Sequence, residues 1–464
     1  MQSVLRTLEV SYSKDLSALY SNDFWALRHT RGRHPHHYAY FAKPGCYFTS
    51  PRTLSPRNSL TGPSLSSTAA DESLYTCLFL PYLHFDSYKR LIRRRNLILQ
   101  RLNYGRARPV PESVAKSDLL ELQVMWEFLG HDPPINCRRT LDQYGCPSLR
   151  DTRSRDDDQM LYKLTKERGL GALLDPANDM RHQSSTTGTG TGSDRGGSGA
   201  STTSGGWRER LTRRHGGDVV DDAPEEETVL DGNVLMVDQL WLWVIQPHTL
   251  VSFFPKRESD PIEGPLFQHS DLRDSIFNDV NVDLTRQCEN ALDLAALAAL
   301  HAVSVLLDRS SHPDLEVFRI FEEAISALTE KLTWSLKTFR TEGFRDKAFD
   351  YEPVENKARS IRARHKEEGR RAERENRDNT SALLELRDIE DELLTLVHLF
   401  EQQSKVLSSM HATYTRPEMR DRTVNGRVFL AEALKRLRDY VHQADEMIQR
   451  VRSTRDDYDK LAAA

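Results

Sequence analysis

With 464 residues, 38% hydrophobic and 29% charged, the chain is long enough for two or more domains and reads as a mixture of globular and extended helical parts. A net charge of -5 is too small to imply a nucleic-acid partner by itself. Five cysteines, odd in number and without a CxxC pair, point to reduced intracellular thiols, and the first residues hold no apolar core of signal-peptide length.

Residues 1–70 read as a poorly ordered N-terminal region that passes into Ser-Pro pairs and a Ser/Thr-rich run. His34, His36 and His37 belong to this region as a solvated loop, since no matching Cys or carboxylate set surrounds them. Residues 71–174 form the first part of an α/β domain. Leu74 to Leu83 is apolar enough for a short strand or an entry segment. His84 to Leu102 reads as a basic helix, with Arg93, Arg94 and Arg95 on a solvated face. The alternative for that helix is contact with nucleic-acid phosphates or acidic lipid. Ser117 to Leu129 predicts a largely buried helix, stopped by Asp132-Pro133-Pro134. Arg150 to Asp158 alternates charge densely enough for a surface lattice of ion pairs. Asp156, Asp157 and Asp158 are also the candidate ligands for a hard cation, Mg2+ or another divalent ion, through their carboxylate oxygens. No other cofactor is expected. Met160 to Leu174 closes this part as a helix.

Residues 175–228 read as a flexible linker, because the Gly, Ser and Thr of Gln183 to Gly206 cannot bury enough surface to offset their ordering entropy. Residues 229–345 read as a second α/β part. Two apolar runs, from Val234 and from Leu250, flank the turn candidates Gln246-Pro247-His248-Thr249 and predict a β-hairpin. Trp241 and Trp243 share one face, with Leu240, Leu242 and Val244 on the other, so both faces are expected to be covered. Asp271 is a candidate cap for a helix to about Asn281, with Ser270 as the other. Leu284 to Leu307 predicts a core helix. Asp293 and His301 interrupt its apolar run and exclude a membrane span, and His301 reads as a satisfied core histidine. A further helix follows from Leu315 to Phe339.

Residues 346–380 are a charged linker or helix, and 381–464 a stalk-like helical hairpin. In the last helix Leu430, Leu434, Leu437, Val441, Ala444, Ile448, Val451 and Tyr458 follow alternating steps of four and three, a coiled-coil seam with Arg455 as its polar intrusion. It pairs either with Ser381–Met410 or with copies of itself. The fold class is α-rich α/β: a layered domain whose hairpin-containing sheet is covered by helices, followed by long C-terminal stalk-like helices. No GxSxG, HExxH or kinase set is present, so no enzyme is expected.

Long stretches carry a family likeness. VDQLWLWVI, the hairpin return ending in FFPKR, and DLRDSIFNDVN resemble the soluble domain of fungal proteins in the CorA-like magnesium transporter superfamily. LHFDSYKRLIRRRNLI, RRTLDQYGCPSLRDTRSRDDDQMLYKLT and CENALDLAALAALHAVSVLLDRSSHPDLEVFRIFEEAISALTE extend the likeness over most of the chain from Tyr82, the linker apart. The resemblance implies a cytosolic α/β domain, a stalk helix running into a first membrane span that ends in Gly-Met-Asn, a second span, pentameric assembly through the C-terminal helices and passage of divalent cations. Neither span nor Gly-Met-Asn occurs in this sequence. The expectation is therefore a truncated or stand-alone cytosolic domain, non-conducting alone and on the cytoplasmic side of a membrane if joined to spans. The alternatives are a coiled-coil interaction scaffold and a basic-helix protein binding nucleic acid or acidic lipid.

Overall fold

Helix α1 (Gln2–Tyr12) leads, in chain order, to the short paired strands β1 (His29–Thr30) and β2 (Phe41–Ala42), then to β3 (Gly45–Thr49) and β4 (Tyr75–Ser87). Helices α2 (Tyr88–Tyr104), α3 (Glu112–Ala115) and α4 (Leu120–Phe128) come next. Strand β5 (Arg139–Thr140) precedes α5 (Leu141–Gly145), α6 (Arg153–Asp158) and α7 (Met160–Leu173). The hairpin is β6 (Asn233–Gln246) and β7 (Thr249–Phe253). Helix α8 (Leu272–Asn278) runs into a π-helical turn at Asp279–Asp283, and α9 (Ala291–Ser304), α10 (Val317–Gly343), α11 (Val354–Tyr414) and α12 (Gly426–Ala463) complete the chain. This computed structural model describes residues 2–13, 16, 19, 29–30, 41–49, 75–104, 110–116, 120–129, 136–149, 152–173, 232–255, 271–283, 287–308, 315–343, 354–419 and 421–463. The expected linker core, Gln183 to Gly206, and the histidines His34, His36 and His37 lie outside them.

The sheet is antiparallel, in the order β3-β4-β6-β5, with β7 also paired to β6. β4 and β6 pair along nearly their whole length, from Thr76 opposite Val244 to Ser87 opposite Asn233. The strand therefore continues past Leu83 through His84–Ser87, which sequence reading placed in the helix; long-range pairing with β6 overrides local helical preference there. Pro81 is tolerated mid-strand because β3 has ended opposite Phe79. Its carbonyl accepts instead from Gln403 Nε2 on α11, at 2.8 Å.

Both sheet faces are covered, as the hairpin's composition predicts. Leu78, Leu80, Leu240, Leu242 and Val244 join the main core with α9 and the long helices. On the other face Trp243 is fully buried, with Phe79 and Phe253 edge-on to its ring at 5.7 Å each. Leu5, Leu16 and Leu19 close this second core. The expected poor order of residues 1–70 thus does not extend to α1 and β3. An apolar stripe on α1 supplies part of the cover for the tryptophan face, and β3 is a strand of the sheet. Helix α4 differs too: Leu122, Met125 and Trp126 are buried, but Leu120, Val124 and Phe128 are exposed, so one face is covered rather than most of the helix.

The charged stretch beyond residue 354 and the apolar stretch beyond 381 are one continuous helix of 61 residues, about 90 Å long. Pairs such as Glu373–Arg377, four apart, support its solvated part. α12 packs against its apolar half, so the seam residues Leu430, Leu437, Ala444, Ile448, Val451 and Tyr458 are buried within one chain. Arg455, the intrusion, pairs with Glu390 of α11, as does Arg452 at 2.7 Å. No helix among the described residues is long and apolar enough to cross a membrane.

Candidate functional site

The basic helix α2 turns much of its charge inward. Arg94, 3% exposed, donates to Asp86 Oδ2 at 2.8 Å and to Glu121 Oε1 at 2.9 Å. Arg95 meets Asp156 Oδ2 at 2.7 Å, and Arg101 caps α4 by donating to the Trp126 and Leu129 carbonyls. The solvated face expected for this helix is thus only part of it. β4 and β6 are long enough to carry Asp86 and Asp238 under the helix layer, where a buried carboxylate requires a cation or several hydrogen-bond donors.

Arg138, just before β5, is the hub. It forks onto Asp238 at 2.8 and 2.9 Å and reaches Asp86 Oδ2 at 2.6 Å. Burial alone would raise the Asp86 carboxyl, but Arg138 and Arg94 overcome it and hold Asp86 well below the usual carboxylate range. Burial by itself lowers the Arg138 guanidinium. Asp238 and Asp86 outweigh this and push it well above its ordinary value. His84, beside this cluster, is pushed down by burial, and its Nδ1 lies 2.8 Å from the Phe85 carbonyl.

A cavity of about 200 Å³ opens on the β6 edge between β5 and β7, walled by Cys137, Arg138, Asp238, Trp241, Phe253 and Pro255. Its Arg138 and Asp238 already satisfy each other, so what it offers a guest is mainly aromatic wall. Burial pushes the Cys137 thiol up to about 12, which keeps it protonated and a poor nucleophile.

Ser275, His301 and Asp279 stand in line, with Ser275 Oγ 2.8 Å from His301 Nδ1 and His301 Nε2 3.0 Å from Asp279 Oδ2. The order is that of a nucleophile relay, but all three side chains are buried and Ser275 lies inside α8 rather than on an exposed turn. The arrangement ties α8 and its π-helical turn to α9, and Ser275 engages the Nδ1 of the buried His301, while its Nε2 lies near Asp279 without a hydrogen bond of ordinary geometry. Sequence spacing gave no hint of the trio, because its members come from separate elements.

The Asp-rich run of α6 is likewise divided among partners. Asp156 is fully buried and accepts from Arg95 and from Thr152 Oγ1 at 2.9 Å; burial raises its carboxyl to about 6 in spite of Arg95. Asp158 sits 3.5 Å from Lys163. The run makes ion pairs with Arg95, Asp142, Lys163 and Asp391 of other elements, where a local lattice on the surface was expected, and their centre is buried. Among the described residues no group of three or more His, Cys, Asp or Glu side chains is arranged to hold a metal ion.

Asp293, read from sequence only as a polar break in an apolar helix, fixes the start of α12. Fully buried on α9, its Oδ1 accepts from Thr423 Oγ1 at 2.7 Å and from the amides of Val424, Asn425 and Gly426 at 3.1, 3.1 and 2.7 Å. These are the unpaired donors of a helix N-terminus, where negative charge is favourable. The missed signal was available: a carboxylate inside an Ala/Leu helix requires buried donors. No family model, curated protein or solved structure matches the chain.

Proposed function

We propose that the chain is the cytosolic body and neck of a CorA-like divalent metal ion (Mg2+) transporter, a part that does not conduct ions by itself. The observation that carries this reading is the Asp293 joint: a helix of the sheet-bearing body holds the N-terminus of the long final helix, so a change in the body is transmitted to the rod. The sheet wrapped on both faces and the three long helices behind it suit the same reading. Because the coiled-coil seam is closed within the chain, assembly into a pentamer would use the outer faces of the rod, where Trp334 is exposed. The seam pairing also supports the runner-up, an interaction scaffold without an ion role. Inward-turned Arg94, Arg95 and Arg101 leave the nucleic-acid and acidic-lipid reading with fewer cations. Light scattering and thermal unfolding of the full chain, with and without millimolar Mg2+, separate the first two. A pentamer whose melting temperature rises with Mg2+ is expected. A monomer or dimer indifferent to the cation would overturn the transporter reading in favour of the scaffold.

A further inference from the structure

A second cavity, of about 80 Å³, lies where α5, α6 and α7 meet α11, and Asp142, Arg155, Asp158, Asp388 and Glu392 line it. Two of its carboxyls are more than nine-tenths buried: Glu392 is 4% and Asp142 5% exposed. Each has one oxygen engaged. Glu392 Oε1 accepts from the Met160 amide at 3.0 Å, and Asp142 Oδ1 from Arg155 Nε at 2.9 Å. Glu392 Oε2 has no hydrogen-bond partner, and Asp142 Oδ2 none of ordinary geometry, the Gln159 side chain approaching that carboxyl only closely enough to lower its pKa a little.

The surrounding charges do not neutralise the pair. Arg155 of α6 divides itself between Asp142 and Asp391, the latter at 3.3 Å. Lys163 of α7 lies 3.5 Å from Asp158 and 3.9 Å from Asp388. Five carboxyls, on α5, α6 and α11, thus share two cations. Neighbouring carboxyls out of water do not all ionise, and the cheapest neutralisation is a proton on one of them.

We propose that Glu392 and Asp142 share one proton across this cavity, and that the proton is a latch holding α11 against the body. While it is present, the helix docks on a single negative charge that Arg155 balances. Its loss leaves two buried carboxylates facing each other across the helix contact, and the contact loosens. Burial, and after it the charge of Asp142, raises the Glu392 carboxyl well above its ordinary value, and burial raises Asp142 against the pull of Arg155. A carboxyl raised in the folded state adds stability at low pH that is lost as pH rises through its folded value, so the latch opens toward the alkaline side. The inference rests on this cavity alone and stands or falls apart from the transport reading.

Denaturant unfolding of the full chain from about pH 5 to about pH 9 tests it, with the folding equilibrium of the wild type expected to fall about tenfold per pH unit while Glu392 stays protonated in the folded chain, and to level off once it ionises there. Glu392→Gln, which keeps an acceptor for the Met160 amide, should remove that slope above about pH 6, leaving below it the part that the raised Asp156 carboxyl contributes. Asp142→Asn, which leaves Glu392 buried but takes away the neighbouring charge, should end the slope at a lower pH than in the wild type and serves if the first variant does not fold. In the wild type, amide exchange over residues 386–396 should quicken with pH beyond its intrinsic rate. A wild type with no slope, or a slope unchanged in a folded variant, overturns the proposal. So does a slope abolished by millimolar Mg2+, which would put a cation in place of the proton.

Discussion

Arg138 holds two carboxylates that no other single side chain could serve together, because its fork reaches Asp238 while its remaining amine reaches Asp86. Arg138→Met would leave Asp238 buried without this partner, and Asp86 with Arg94 and Arg90 alone. Breaking one side of such a cluster costs about 3–5 kcal/mol, and urea denaturation of the variant should show a loss of that size. The pH dependence has a sign as well. A carboxyl lowered in the folded state gives stability above its unfolded pKa that is lost as pH falls through the folded value. With Arg138 gone the Asp86 carboxyl is held down less, so the variant's deficit should be largest near neutral pH and should narrow as pH falls below the usual carboxylate range, as urea unfolding at several pH values would show. None of this cluster was legible in sequence, where Arg138 and Asp238 stand 100 residues apart. Asp293 and His301 were legible as anomalies in an apolar helix, and their partners were not.

Element by element, the helices were easier to read than the places where they dock. Local pattern gave the hairpin, the Asp271 cap, the buried α9 and the α12 seam, because each is signalled within a few residues: two apolar runs about a turn, a capping carboxylate, an unbroken Ala/Leu run and a four-three spacing. It failed over His84–Ser87, where pairing with a distant strand decides, and over α1, whose cover for Trp243 is a long-range contact. Close approach was equally invisible. A Cβ on Gly145, at the end of α5, would lie 2.7 Å from Thr395 Cγ2 of α11, too near for an ordinary contact. Gly145→Ala should destabilise the chain by about 1–3 kcal/mol through overpacking. Thr395→Ala in the same chain should recover much of that loss, and a double-mutant cycle measured by thermal unfolding would read the coupling.

At the scale of the whole molecule, the boundary drawn near residue 345 separates sequence textures rather than folding units. Phe400, Leu399 and Leu407 of α11 belong to the same core as Leu240 and Leu242 of the sheet. Asp293 and the Tyr414 hydroxyl, which donates to the Leu292 carbonyl at 3.2 Å, join α9 to the rod from both sides. A chain ending at residue 345 would leave that core open and Asp293 without its four donors. It should show no cooperative unfolding transition in circular dichroism, whereas the full chain should show one.

The bond between Gln403 and Pro81 also sets a timetable. The carbonyl in the middle of β4 finds its donor 322 residues downstream. A nascent chain therefore leaves the ribosome with its central strand made early and finished late, and that strand stays in need of shelter until nearly all of the protein has been synthesised.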